Sequence, residues 1–313
     1  MTPRRITTIA ELRREVDEAR RAGQRVGLVP TMGALHEGHL ANVRLAAEVA
    51  DVVVVSIFVN PRQFDRTDDL AAYPRDLEGD EAQLAALGQA APTLVFVPEP
   101  TEVYPREPAV TVTVTGLTDR LCGATRPGHF DGVATVVTKL FNMVAPDVAV
   151  FGRKDFQQLQ VIRALVADLD LPIEIVGAPT VREDDGVALS SRNRRLDTDQ
   201  RTAARAIPEA LREAVDLARA QREAGAGPDA EVLRTAVAAR LAAACGVEID
   251  YVEVLDPQTL APPDGSGRGE AVDDGPPKQV LVAVAAHVGP VRLIDNVVIG
   301  DREDEDRLLT ARP

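Results

Sequence analysis

The sequence predicts an α/β protein, a doubly wound parallel sheet followed by a smaller C-terminal α+β domain. Three observations carry this. Short β-branched runs alternate with helical patterns of about 10–15 residues through residue 185, the rhythm of βαβ units. One of those runs, residues 51–58 (DVVVVSIF), is almost continuously apolar, as a strand covered on both faces requires. From residue 186 the texture changes to Ala/Arg/Glu-rich helices and then strand-like runs.

Thr8-x-x-Glu11 has capping-box spacing and opens a helix that stops near Gly23. Residues 25–30 (RVGLVP) follow as the first strand, 38–50 as a helix and 51–58 as the second strand. Pro74 suits the first turn of the next helix, which runs towards Gly88, and 94–97 is a strand. The alternation continues through strand 109–115, helix 133–144, strand 148–151, helix 156–169 and strand 173–176. In the second half, 198–223 and 230–244 are helices joined by the turn AGAGPD, and 248–255, 279–287 and 291–299 are strands. The domains are therefore placed at 1–185 and 186–313. The Gly/Pro/Asp-rich stretch 261–278 reads as a flexible loop, and 301–313 (DREDEDRLLTARP) as a solvated tail.

Composition narrows the function. The chain has 313 residues, 45% of them apolar, enough for a large core and too many for disorder. Its longest apolar stretches are interrupted within about ten residues, short of the ~20 that a membrane span needs. No apolar signal segment follows the first residues, and Cys122 and Cys245 cannot form a disulfide framework, so a cytoplasmic location is expected. A formal charge of −14 with only 3% aromatic residues argues against a nucleic-acid partner. Three lysines stand against 32 arginines, so Lys154 is conspicuous. Cys122, Cys245, Phe141 and Phe151 are assigned to core packing.

Two of four histidines, His36 and His39, fall within Gly33-Ala34-Leu35-His36-Glu37-Gly38-His39, directly after the first predicted strand. Ligands of open α/β sheets bind outside the carboxyl ends of strands, and the helix N-terminus near Gly38 favours an anion. Both imidazoles can face a phosphate chain there, donating hydrogen bonds and gaining positive charge as a transition state becomes more anionic. A lone histidine in such a turn is adequately explained as a helix cap. Two of them, three apart and between glycines, favour a phosphate site. A zinc site fails, because H-E-x-x-H would need histidine where Leu40 stands.

Neither a G-x-x-x-x-G-K-[ST] loop nor a G-x-G-x-x-G after the first strand occurs; Gly123 and Gly128 have the first spacing but continue into His129-Phe130. Lys154 and Asp155 lie between a predicted strand and helix, where Lys154 suits a phosphate, Asp155 caps the helix and Gln158 lies one turn along. Ser190-Ser191-Arg192 offers donors for a triphosphate. Gln63 is a neutral donor and acceptor suited to a hydroxy acid.

Taken together, Pro30–His39 (PTMGALHEGH), 56–64 (SIFVNPRQF), 154–158 (KDFQQ) and 190–193 (SSRN) resemble, in order and spacing, the motifs of the pantoate–β-alanine ligases. That resemblance covers residues from about 5 to 300, and its H-x-G-H element is shared with a wider class of nucleotidylyltransferases and class I synthetases. It implies a Rossmann-like sheet with a lid-like second domain. It implies ATP-dependent, AMP-forming condensation of pantoate with β-alanine through a pantoyl-adenylate, with Mg²⁺ carried by ATP. It further implies that Met32, Gly33, Ala34, Leu35, His36, Glu37, Gly38 and His39 line the ATP site. Gly152, Arg153, Lys154, Asp155, Val181, Leu189, Ser190, Ser191 and Arg192 would complete it. His36, His39, Lys154 and Arg192 would be catalytic, Gln63 and Gln158 would hold pantoate, and Gln63 would also lie near β-alanine. A homodimer is implied as well.

Three residues depart from the family pattern: Arg153 in place of a common glutamate, Leu189 in place of methionine, and Arg195 where tyrosine is common. The alternative is another H-x-G-H nucleotidylyltransferase that activates a different small carboxylate or phosphate acceptor. Such an enzyme has no pantoate to hold, so it would lack Gln63 and Gln158.

Overall fold

The computed structural model describes residues 3–64, 70–71, 73–263 and 279–310. The chain forms two compact units: Met1–Arg153 with Gln158–Ala178, and Lys154–Gln157 with Pro179–Pro313.

The first unit is built on six strands: β1 (Arg4–Ile6), β2 (Val26–Thr31), β3 (Val52–Ile57), β4 (Leu94–Phe96), β5 (Val148–Gly152) and β6 (Glu174–Ala178). They lie in the order β1-β4-β3-β2-β5-β6, and every neighbouring pair is parallel. From β2 the chain moves outward through β3 and β4, then returns to place β5 on the other side of β2. The switch point therefore lies between β2 and β5, and their carboxyl ends frame the crevice where such sheets bind ligands. The valine run in β3 shows why both faces need cover. Val52 and Val54 enter one core with Leu28, Phe96, Leu12, Val133 and Ile162. Val53 and Val55 enter the opposite core with Val29, Leu40, Val43 and Leu84. Side chains alternate across a strand, and each fully buried valine is worth about 1.5–3 kcal/mol. The helices Ile9–Arg21, His129–Val144 and Phe156–Asp168 supply the first cover, and Glu37–Val49 and Leu77–Ala86 the second. Phe141 and Phe151 pack edge to face in the first core, 6.5 Å between centroids.

Several sequence expectations need correction in this unit. The strand β1 has no apolar signature, because Arg4 and Arg5 are exposed and only Ile6 is buried. Residues 109–115 form no strand: the Val112 N–H donates to the Thr135 hydroxyl (3.0 Å) on a helix, so the alternating pattern reports packing of Val112 and Val114 without a ladder. Pro74 lies outside the helix Leu77–Ala86, whose N-cap is Asp76, accepting from Gly79 N–H at 3.0 Å. The helix expected at 133 starts at His129, after Gly128 in the left-handed region.

In the second unit β7 (Val247–Leu255), β8 (Val280–Val288) and β9 (Val291–Ile299) form an antiparallel meander. Val280, Val282, Val284 and Val288 pack against Ile207, Leu211, Val215, Leu233 and Val237. The helical pattern 198–223 divides into Thr198–Ala204 and Ala206–Glu223. Pro208 falls in the first turn of the second helix, where its missing N–H costs nothing. Of the segment 301–313 read as a solvated tail, 311–313 lies outside the described residues and 301–310 is not a solvated tail. Arg302–Thr310 is a helix, with Leu308, Asp304 and Glu305 buried. Asp304 accepts from Val298 N–H (2.7 Å), and Glu305 accepts from Gly300 N–H (2.8 Å) and pairs with Arg219 and Arg222. An acidic run looks solvated only while its partners are out of view. Cys245 is exposed in the turn after Ala230–Ala242, so it is no core residue, whereas Cys122 is partly buried against the core. Of the stretch 261–278 read as a flexible loop, 264–278 lies outside the described residues. No described helix is long and apolar enough to cross a membrane.

Candidate active site

The segment after β2 is folded by its own backbone constraints. Gly33 has φ +79° and Ala34 φ +51°, so two successive left-handed residues turn the chain sharply at the end of the strand. Such a turn points backbone N–H groups inward, and a buried carboxylate collects them. Asp80, from the helix Leu77–Ala86, is 2% exposed; its Oδ2 accepts from Ala34 N–H at 2.9 Å and its Oδ1 from Leu35 N–H at 2.7 Å. Charge-assisted bonds of this kind are among the stronger ones a protein makes. No sequence signal marked Asp80, which reads as an ordinary charge on a solvated helix.

His36 is the N-cap of the helix Glu37–Val49 and His39 is the third residue of its first turn. The His36 Nδ1 accepts from Gly38 N–H (3.2 Å), and the His39 Nδ1 accepts from His36 N–H (3.3 Å). The pair forms a capping box from two imidazoles, tilted 32° to each other with centroids 4.0 Å apart. A ring nitrogen that accepts carries no proton, so each neutral ring keeps its proton on Nε2 as a donor. Capping and phosphate recognition are thus compatible, since they use different nitrogens.

Gly38 has a spatial reason. A Cβ there would stand 2.9 Å from His36 Cε1 and 3.0 Å from Nδ1. Gly38→Ala should therefore push the His36 ring off its cap and lower ATP-dependent turnover by about tenfold or more, with a stability loss of about 1 kcal/mol. Steady-state kinetics beside a thermal melt check this. An unchanged rate would show that the ring position is immaterial.

Gln63 ends the 3₁₀ turn Pro61–Gln63 that follows β3, and it is buried. Asn60 sets its amide: Asn60 Nδ2 donates to Gln63 Oε1 (3.1 Å) and to Gly132 O (3.1 Å), while Asn60 Oδ1 accepts from the Tyr104 hydroxyl (3.0 Å). With its oxygen committed, Gln63 turns its NH₂ group to Met32 Sδ at 2.9 Å. Burial pushes the Tyr104 hydroxyl up to about 12, against the opposing pull of Arg62, so it stays a donor at neutral pH. The Gln63 backbone carbonyl accepts from His129 Nδ1 (2.7 Å) and from Arg126 (3.3 Å), and Arg126 also reaches His129 Nε2 (3.3 Å). Tyr104, Arg126 and His129 were missed by sequence reasoning. The signal was present in His129, which follows the glycine spacing rejected above as a phosphate loop.

The remaining expected residues lie on both units. Gly152 ends β5, next to β2 in the sheet, Arg153 opens the 3₁₀ turn that follows, and Gln158 is half-buried in the helix Phe156–Asp168. In the second unit, Lys154 Nζ lies 3.7 Å from Asp155 Oδ2, with the lysine side chain 18% exposed. Asp155 belongs to the 3₁₀ turn Arg153–Asp155. Val181 and Leu189 face each other, with Leu189 N–H donating to Val181 O at 2.9 Å, and Arg182 bridges antiparallel to Ala188. At the tip of this hairpin, burial pushes the Asp185 carboxyl up, but Arg201, bonded to it at 2.6 Å, wins and holds it below its usual range. Ser190 caps the 3₁₀ turn Ser191–Arg195, accepting from Arg192 N–H, and the Arg192 side chain is exposed. Asn193 locks the turn to Glu183 (2.6 Å) and Ala188 O (3.0 Å).

A doubly wound parallel sheet with an H-x-G-H turn at its switch point defines the class: Rossmann-like α/β proteins that take their ligands at the carboxyl ends of the strands. Comparison with known proteins narrows it. Residues 4–298 match the model of the family described as pantoate-beta-alanine ligase. The pantothenate synthetase of Chelativorans sp. (strain BNC1) is 51% identical over 93% of this chain and 96% of its own length. That of Moorella thermoacetica is 50% identical over 94% and 98%. The crystal structure of pantothenate synthetase from Thermus thermophilus superposes with a TM-score of 0.80 at 42% identity, covering 94% of this chain and 98% of that one. The pantoate-beta-alanine ligase from Francisella tularensis, complexed with beta-gamma ATP and beta-alanine, gives 0.74 at 30%, covering 95% and 97%. The chain belongs to the pantoate–β-alanine ligase family.

Proposed function

We propose that this chain joins pantoate to β-alanine at the expense of ATP, through a pantoyl-adenylate. The observation that supports the reading is the contact of Gln63 with Met32: a neutral amide, of a kind suited to a hydroxy acid, lies against the loop that carries His36 and His39. A nucleotidylyltransferase with a phosphate acceptor has no use for that amide.

In the first step a pantoate carboxylate oxygen attacks the α-phosphorus of ATP. The new P–O bond forms as the α–β anhydride bond breaks, and pyrophosphate leaves. The carboxylate is already ionised, so no general base is needed. The difficulty is bringing two anions together, and it is met by donors and charges aimed at the phosphates. His36 and His39 supply Nε2–H donors, Lys154 and Arg192 supply full charges, and Mg²⁺ enters with ATP as part of the substrate. Met32–His39, Gly152–Asp155, Val181 and Leu189–Arg192 are assigned to ATP, Gln63 and Gln158 to pantoate, and Gln63 also to β-alanine. In the second step the β-alanine amine attacks the acyl carbon. The amide bond forms, AMP leaves with the bridging oxygen, and the nitrogen sheds its proton. Here the protein chiefly holds two reactants together and excludes water. The proposal extends, on the family resemblance, to a homodimer acting in the cytoplasm.

Oxygen bookkeeping tests the chemistry. Pantoate labelled with ¹⁸O in its carboxylate should transfer one label to the phosphate of AMP, read by mass spectrometry. AMP free of label would mean that the carboxylate is never adenylated.

A further inference from the structure

The second unit contains a polar pair where an apolar strand would be expected. Asp295 and Asn296 are consecutive in β9, 3% and 5% exposed, between Ile294 and Val297. Buried polar groups cost free energy unless they are bonded, so such a pair persists for the bonds it makes. Successive strand residues face opposite ways, and the two side chains reach two different pieces of the proposed ATP machinery. Asn296 Nδ2 donates to the Lys154 carbonyl at 2.8 Å. Asp295 receives Arg182 through two parallel bonds, 2.7 and 3.0 Å, in an ion pair whose side chains are 5% and 2% exposed. Arg182 also donates to Gly186 O (3.1 Å), which fixes the hairpin from Val181 to Leu189 that leads into Ser190–Arg192. Asp295 Oδ1 further accepts from Asn296 N–H at 2.8 Å, tying the two anchors together.

We infer that Asn296 is a positioning residue for Lys154, and that Asp295 does the same for the Ser190–Arg192 turn through Arg182. The inference rests on the proposed role of Lys154 at the phosphates. Lys154 sits in a three-residue 3₁₀ turn, too short to hold its own geometry. One bond from a core strand sets the direction in which its side chain departs. The strand itself makes no proposed contact with substrate, so its effect must travel through the lysine.

The test is a double-mutant cycle read by pre-steady-state pyrophosphate release from the full-length chain, with MgATP and pantoate and no β-alanine. Asn296→Asp keeps the shape and removes the donor, and Asn296→Leu removes both polarity and donor; each is measured alone and in a Lys154→Ala background. The burst amplitude counts folded sites and the rate constant reads positioning, so a purely structural role moves only the amplitude. The expected result is a rate constant about tenfold lower in both variants and no further loss once Lys154 is alanine. An unchanged rate constant, or an equal loss in both backgrounds, overturns the positioning role while leaving that of Lys154 intact. If Lys154→Ala alone has no effect, the reading of Lys154 falls, and the inference with it.

Discussion

His39→Ala is expected to slow adenylate formation by roughly 10²–10³-fold, the usual cost of one preorganised donor at a developing charge. The ring does two jobs through two nitrogens: Nδ1 accepts the His36 N–H, and Nε2 remains a donor. Losing the cap alone should cost about 1 kcal/mol of stability. Losing the donor should appear in kcat with a smaller change in the KM for ATP, because it acts most strongly in the transition state. His39→Gln separates the two, since glutamine at this position of a capping box can still reach back to the cap. Its stability should recover while its rate remains depressed. Rapid-quench measurement of pyrophosphate decides the matter, and an undiminished rate in His39→Ala would remove His39 from the mechanism.

The second large effect is expected at Asp80, which touches no substrate in this account. Asp80→Asn leaves one acceptor for two buried N–H groups and turns an NH₂ towards one of them. An unsatisfied buried group costs about 1–3 kcal/mol, and the sharp turn at Gly33 and Ala34 loses its anchor. Because that turn leads directly into His36, a displacement of about 1 Å should cost on the order of 10²-fold in adenylation. The melt and the rate constant should fall together. A variant that melts lower but retains the wild-type rate would show that the turn holds its shape without the carboxylate.

How much of this was legible in the sequence follows from how local each signal is. The valine run of β3 fixes its own periodicity, and both faces are covered as it requires. The H-x-G-H segment encodes its cap locally, with Gly38 making room for the His36 ring. What the sequence hid was non-local. Asp80 acts on N–H groups 45 and 46 residues earlier, and Asn296 acts on a carbonyl 142 residues earlier, so neither forms a motif. Tyr104, Arg126 and His129 converge on Asn60 and Gln63 only through the fold. The apparent strand at 109–115 failed for the complementary reason: alternation records which side chains are covered, and only the fold decides whether a neighbouring strand accepts the backbone.

The central claim is that this site activates pantoate as an acyl-adenylate before β-alanine is needed. The direct measurement is single-turnover mass spectrometry of the protein mixed with MgATP and pantoate, with β-alanine withheld. The account predicts pantoyl-adenylate and pyrophosphate in equal amounts, one per active site, converted to pantothenate and AMP when β-alanine is added. ATP that binds yet yields neither adenylate nor pyrophosphate with pantoate would contradict it, and with it the assignment of Gln63 and Gln158.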